Sequence, residues 1–313
     1  MNHGELEGIK AENERLIALL EQHGIEWRLP PPLIDVVQES APSRLSPTEK
    51  VALFIRLFRG RPDVYPVRWE SKTAGKSGYT PACANEWRAG VCEKPRIKCA
   101  DCHNRHLIPL SEHVIYDHLA GRHTVGIYPL LEDDTCHFLA IDFDEADWRD
   151  DACAVISSCE ELGVPAALEI SRSGQGAHAW IFFASRVSAR DARRLGSAII
   201  SHTCARTRQL KLGSYDRLFP NQDSMPKGGF GNLIALPLQK GPRERGCSVF
   251  VDTDLRPILT NGHFWPAYSS CQRMILSLRS CGQRGVLTLW MLHSLMKKIL
   301  SSPGSGSNPP PIS

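Results

Sequence analysis

The chain runs to 313 residues, 42% of them hydrophobic, with a formal net charge of +3. That is enough chain for a sizeable core in one large or two ordinary domains, and no apolar run approaches the roughly twenty residues of a membrane span. So small a charge does not announce nucleic-acid binding by itself, and eleven cysteines in so long a chain fit reduced thiols and a metal cluster better than a disulfide scaffold.

The acidic, polar N-terminus does not read as a signal peptide, so a soluble, cytoplasmic protein with no membrane partner is expected. Leu6, Ile9, Leu16, Ile17, Leu19 and Leu20 mark a helix from Leu6 to His23. Asn13 interrupts its heptad, and both a short dimerising helix and one that packs on its own domain fit. Prolines 30, 31, 32, 42 and 47 make an extended linker. Ser46, Pro47, Thr48 and Glu49 then cap a helix to Phe58 with Val51, Phe54, Ile55 and Phe58 on one face. The segment Arg59 to Trp69 interleaves basic and aromatic residues, which suits nucleic-acid or nucleotide contacts as well as a strand and loop that simply pack.

Cys83, Cys92, Cys99 and Cys102 follow. Four thiolates in one short stretch match a tetrahedral zinc site, with Cys99 and Cys102 at knuckle spacing. Cys83 and Cys92 are farther apart than in a usual knuckle, His103 and His106 could replace one thiolate, and free buried thiols are the alternative. All four positions look filled, so one structural zinc is expected. Cys136, Cys153, Cys159 and Cys204 sit in apolar contexts and read as core thiols. His113 and His118 lie in a helix from Ser111 to Ala120 and receive no ligand role. The strand in Gly126 to Leu131 is expected to pair with the next one.

That next strand, Phe138 to Ile141, ends in Asp142, Phe143 and Asp144. Alternation puts both carboxylates on one face, where they repel unless a cation, most naturally a divalent metal, sits between them. A helix with Trp148, Ala152, Val155, Ile156, Cys159 and Leu162 inward stops at Gly163 and Pro165. A strand from Ala166 to Ile170 runs into the turn Ser171 to Gly176, whose glycines can offer N–H groups to an anion. The strand after it carries His178, Trp180 and Phe182, which would bring His178 beside the acidic pair if the strands are neighbours.

Ser188 caps a further helix with Ala192, Leu195, Ile199 and His202 inward, and its Arg190, Arg193 and Arg194 fit a solvated face or contacts to a phosphate backbone equally. Asp216 stands in a short strand, with Asp223 and Asp252 as competitors for a third acidic ligand. Lys227, Gly228, Gly229 and Asn232 offer a cation, a flexible backbone and an amide suited to a triphosphate or a primer end; a plain glycine loop is the alternative. Residues 271–300 are patterned as helices, and the Pro, Ser and Gly tail 301–313 reads as disordered. The divisions are therefore 1–45, 46–125, 126–260, 261–300 and 301–313.

Taken in order, the cysteine segment, Asp142-Phe143-Asp144, Gly176-Ala177-His178 and FPNQD with GNLIALPL resemble the archaeo-eukaryotic primase and primase-polymerase superfamily. The primase domain of the TOTE conflict systems of mobile elements is most similar, through its upstream cysteines and the phrase GIYPLL, over roughly Tyr79 to Asp252. The resemblance implies an α+β fold with an RRM-like catalytic core, a zinc-binding module and flanking helices. It implies template-directed nucleotidyl transfer, initiating or extending strands from NTPs or dNTPs on single-stranded DNA. Asp142, Asp144 and Asp216 would hold two Mg²⁺ or Mn²⁺ ions, Asp216 being favoured because the family places its acid just before the segment matching NLIALP. Ser173, Gly174, Gly176, His178, Lys227 and Asn232 would bind the nucleotide. Lys94, Arg96, Lys98 and Arg105 would lie with the zinc module beside the template or incoming strand. Relatives often continue into a helicase, and with no Walker-type lysine motif here such a partner would be a separate chain. Two rivals use the same residues otherwise: a metal-dependent nuclease, and a zinc-bearing nucleic-acid-binding module without catalysis.

Overall fold

The structure, a computed structural model, describes residues 12, 15–20, 22, 23, 46–71, 75–144, 147–207 and 213–258. Most of the proline-rich linker, the expected helices in 271–300 and the tail lie outside the described residues. Within the expected N-terminal helix, residues 15–20 are helical, with Leu16 and Leu19 exposed.

Helix α1 (Pro47–Leu57) begins where the sequence places it, because Ser46 caps the Glu49 N–H while the Glu49 carboxylate takes the Ser46 N–H at 2.7 Å. Strands β1 (Pro66–Glu70) and β2 (Ser77–Pro81) form a separate antiparallel ribbon. The cysteine segment is mostly turns, with one 3-10 turn at Cys99–Asp101. Helix α2 (Glu112–Leu119) is capped by Ser111. Its buried His118 is a staple: Nδ1 accepts the Val125 N–H at 3.2 Å and Nε2 donates to the Pro237 carbonyl at 3.0 Å. Burial holds that ring neutral, with its pKa pushed down to about 4.

Strand β3 (Gly126–Ile127) does not pair with the strand carrying Asp142, contrary to the sequence expectation. It pairs with β8 (Ile234–Ala235). Both edges of the acid-bearing strand are already taken by neighbours. Gly126 also lets the Ile234 carbonyl approach to where a Cβ would lie only 2.5 Å away.

The main sheet is built from β4 (Thr135–Asp144), α3 (Trp148–Leu162), β5 (Ala167–Ile170), β6 (Gly176–Ser188), α4 (Ala189–Arg206), β7 (Tyr215–Phe219) and, after the short helix α5 (Lys240–Glu244), β9 (Val249–Val251). The strand order is β7-β4-β6-β5-β9, with all neighbours antiparallel. From β4 to β7 this is a β-α-β-β-α-β succession with each helix crossing over one strand, the split βαβ arrangement.

Alternation divides the sheet into two apolar faces. Leu139, Ile141, Phe143, Ala179, Ile181 and Phe183 face one way and pack on α3 and α4. Phe138, Ala140, Trp180, Phe182 and Phe219 face the other way and pack with α1, α2 and the β3–β8 pair. Phe58 locks α1 to this second face, edge-on to Trp180 at 5.0 Å and to Phe182 at 5.4 Å. Cys136 and Cys159 are core thiols as expected, whereas Cys204 is exposed near the end of α4. His202, expected inward, is only partly covered and faces Glu161 at 3.7 Å.

Candidate active site

The second face of the sheet turns polar at one end. Across β5, β6, β4 and β7, the residues Glu169, His178, Asp142 and Arg217 lie in one register. Directly opposed residues of antiparallel strands project to the same side, so four ionisable groups form a row continuous with the apolar row of Trp180 and Ala140. Nδ1 of His178 donates to Glu169 Oε2 at 2.9 Å, Trp180 Nε1 donates to the same oxygen at 2.8 Å, and His178 Nε2 lies 3.4 Å from Asp142 Oδ1. Glu169, with 2% of its surface exposed, therefore fixes the imidazole from behind and leaves Nε2 facing the acids.

Asp144 and Asp216 reach the same place by two backbone devices. Asp144 lies opposite Gly176, where a Cβ would stand 2.5 Å from the Asp144 carboxylate; only glycine leaves that space. On the other side, the pairing of β4 with β7 slips between Asp142 and Phe143: Asp142 faces Arg217, but Phe143 faces Tyr215. Unbroken alternation would send Asp216 to the apolar face with Phe143. The bulge gives that place to Tyr215, which packs on the core, and turns Asp216 towards the acidic pair. The start of β7 is held by buried Asp151 of α3, which accepts from Ser214 N at 3.1 Å and Ser214 Oγ at 2.6 Å, while the Ser214 carbonyl accepts the Asp144 N–H at 2.8 Å.

The result is a cluster in which Asp142, Asp144 and Asp216 each present an oxygen within 4.8 Å of the others. Burial pushes the Asp142 carboxyl up to about 6, and the neighbouring charges of Asp144 and Asp216 add to this against His178 and Arg217. Burial works against a charged His178, yet Glu169, Asp142 and Asp144 outweigh it and raise its pKa. Arg217 bonds Asp216 through Nε at 2.5 Å and neutralises part of the cluster. Three hard oxygen donors in this proximity fit a divalent cation of the Mg²⁺ or Mn²⁺ type.

The family model for the archaeo-eukaryotic primase domain of TOTE conflict systems matches residues 49–275, more than half of the chain. The protein belongs to that family. Among solved structures, the polymerase domain of Mycobacterium tuberculosis ligase D in complex with DNA is similar at 13% identity and a TM-score of 0.36, over 82% of this chain and 91% of that one. No curated protein matches.

Other residues of this primase domain singled out in the sequence fall in various places. Of the three candidates for the third acid, Asp216 meets the pair. Asp223 is instead bonded by Arg193, with Arg190 3.8 Å away, so these arginines pin a loop to α4. Asp252 Oδ1 closes a turn by accepting from Asp254 N at 3.0 Å and Arg256 N at 2.8 Å. In the hairpin turn, Ser173 Oγ accepts the Gln175 N–H at 3.2 Å and the Ser171 carbonyl takes the Gly174 N–H at 3.0 Å, so those two donors are used within the turn. Lys227 is exposed. The Asn232 amide joins Asn221 N at 3.3 Å to the Leu218 carbonyl at 3.4 Å.

Cys83, Cys92, Cys99 and Cys102 line one pocket, and Cys83 Sγ accepts the His106 N–H at 3.3 Å. Among the described residues the acid cluster is the only set of three or more ligand atoms within 4.8 Å of one another, so the sulfurs do not form such a set.

Sequence reasoning missed Glu169, Asp151 and Arg217. The signal for Glu169 was a lone acid inside the apolar strand ALEI, where a charge demands a buried partner.

Two outcomes are expected. Raising the Asp142 pKa from 3.8 to about 6 means that, without metal, its contribution favours the fold below the lower value and is lost as pH rises through the upper one, by roughly 3 kcal/mol. A cation takes the proton's place, so added Mg²⁺ should raise the melting temperature more at pH 7.5 than near pH 5; an equal rise at both contradicts this. Gly176→Ala should weaken divalent-cation binding about ten- to hundredfold in a calorimetric titration, by displacing Asp144; unchanged affinity would show that the cross-strand approach is unimportant.

Proposed function

We propose that this domain catalyses template-directed nucleotidyl transfer, as a DNA primase or primase-polymerase that initiates or extends strands from NTPs or dNTPs on single-stranded DNA. The observation that carries the reading is the convergence of Asp142, Asp144 and Asp216, beside His178, in a chain of the primase family. The β-α-β-β-α-β order of the sheet supports an RRM-like core.

Asp142, Asp144 and Asp216 would hold two Mg²⁺ or Mn²⁺ ions. Such ions, when bound, lower the pKa of an attacking 3′-hydroxyl and neutralise charge on the triphosphate and leaving pyrophosphate. His178, held by Glu169, presents Nε2 as a hydrogen-bond donor to a phosphate of the incoming nucleotide. Arg172 of the hairpin turn, with Lys227, supplies further positive charge for the triphosphate. Positioning and charge neutralisation then do most of the catalysis. The cysteine pocket, with a soft-donor set and an N–H already aimed at Cys83, suits one structural zinc once the sulfurs draw together.

A nuclease would use the same carboxylates with water as nucleophile. The test is a labelled single strand incubated with Mn²⁺, with and without nucleotides. Growth of the strand supports the polymerase reading and shortening assigns a nuclease. Asp142→Asn and Asp144→Asn should each lower synthesis at least about a hundredfold with strand binding unchanged. Synthesis retained by either variant contradicts the assignment, and strand binding with neither reaction leaves a module without catalysis.

A further inference from the structure

We propose that one face of the β1–β2 ribbon, carrying Trp69, forms with Lys94 and Trp87 of the adjoining cysteine segment a stacking platform for single-stranded nucleic acid. This deepens the polymerase reading, on which it rests, by naming a surface that holds the template strand.

Trp69 of β1 lies opposite Gly78 of β2, and Val67 opposite Thr80, so these four share a face. A Cβ at Gly78 would come within 3.0 Å of the Trp69 ring, so the indole rests on a bare stretch of backbone while 45% of the residue stays exposed. One step along the same face, Thr80 Oγ1 accepts from Lys94 Nζ at 2.6 Å, and that ammonium, also paired with Glu86 at 2.7 Å, stands 5.7 Å from the centroid of Trp87. Trp87 is 68% exposed and has a φ of 58°. Left-handed backbone is costly for so bulky a residue, and here it holds an indole out in water. The Trp69 indole on the ribbon, the Lys94 ammonium bonded to Thr80 of the same face, and the Trp87 indole beside that ammonium are thus linked in that order.

The opposite face of the ribbon points to the acid site. Arg68 lies over Tyr79 at 5.9 Å, and Tyr79 is close enough to Arg172 and Glu169 to feel their charges. The platform is therefore the face of the ribbon turned away from the acid site, and a strand held there would reach the hairpin turn next to His178 around the edge of the ribbon.

Charge selects the partner. Between residues 66 and 106 there are eight lysines and arginines against four carboxylates, a surplus of four where the whole chain has only +3. Separate aromatic faces bridged by a cation are what single strands use for sequence-tolerant stacking, whereas a protein partner is usually met by a contiguous apolar patch.

The test uses the full chain with labelled oligo-dT and oligo-rU strands, read by fluorescence anisotropy. Trp69→Ala and Trp87→Ala should each weaken binding about tenfold on at least one of the two strands, and the double variant more. The rise in melting temperature with Mn²⁺ should be unchanged in all three. Trp69→Phe and Trp87→Phe, which keep an aromatic face, should recover most of the affinity. A double alanine variant that binds both strands as tightly as the parent overturns the proposal, as does a loss that phenylalanine does not repair. The parent strand that binds better identifies the template chemistry. Asp142→Asn should bind like the parent, so a failed platform and a failed catalytic assignment are told apart: the first shows as undiminished strand binding in the double alanine variant, the second as synthesis surviving in Asp142→Asn.

Discussion

Three carboxylates held within 4.8 Å of one another repel, and the polar end of the sheet is organised to keep them there. Burial, chiefly, pushes the Asp142 carboxyl up to about 6, and the charges of Asp144 and Asp216 add to it. Two cationic groups offset it. Arg217 sits on Asp216 from the outer side, and His178 faces Asp142 from the inner side. His178 can play that part because Glu169 stands behind it, itself tied to the core by Trp180. The chain of contacts therefore runs from an indole in the hydrophobic core, through a carboxylate and an imidazole, to the clustered acids.

Backbone geometry makes the cluster as much as side-chain chemistry does. A regular β7 would place Asp216 in the apolar core under Phe143; the bulge exchanges it for Tyr215. The clamp of Asp151 on Ser214 defines where that bulge begins. Opposite, Gly176 lets the Asp144 carboxylate lie against β6. These constraints are rigid elements of a sheet packed on both faces, which suits a site where small displacements are costly.

Much of this was legible in the sequence. The alternation of Asp142 with Asp144 and of His178 with Trp180 placed each on its face, and the caps Ser46, Ser111 and Ser188 set helix starts to within a residue. What escaped depends on register and on partners distant in the chain. No local pattern tells that β3 turns to β8 or that β7 bulges at Asp216, because the first follows from which strand edges remain free and the second from the clamp of distant Asp151 on Ser214. Asp223 and Asp252 look like ligands in a linear reading and prove to be a loop pin and a turn closure. Of the platform only Trp69 was readable, as part of the basic and aromatic interleaving; Lys94 and Trp87 join it through the bond of Lys94 to Thr80 and its approach to the Trp87 ring.

The most direct measurement is the anomalous difference map of a crystal soaked in Mn²⁺. The account predicts manganese between the carboxylates of Asp142, Asp144 and Asp216, with His178 still backed by Glu169. Manganese bound elsewhere, or the three carboxylates directed to separate surfaces, would contradict it.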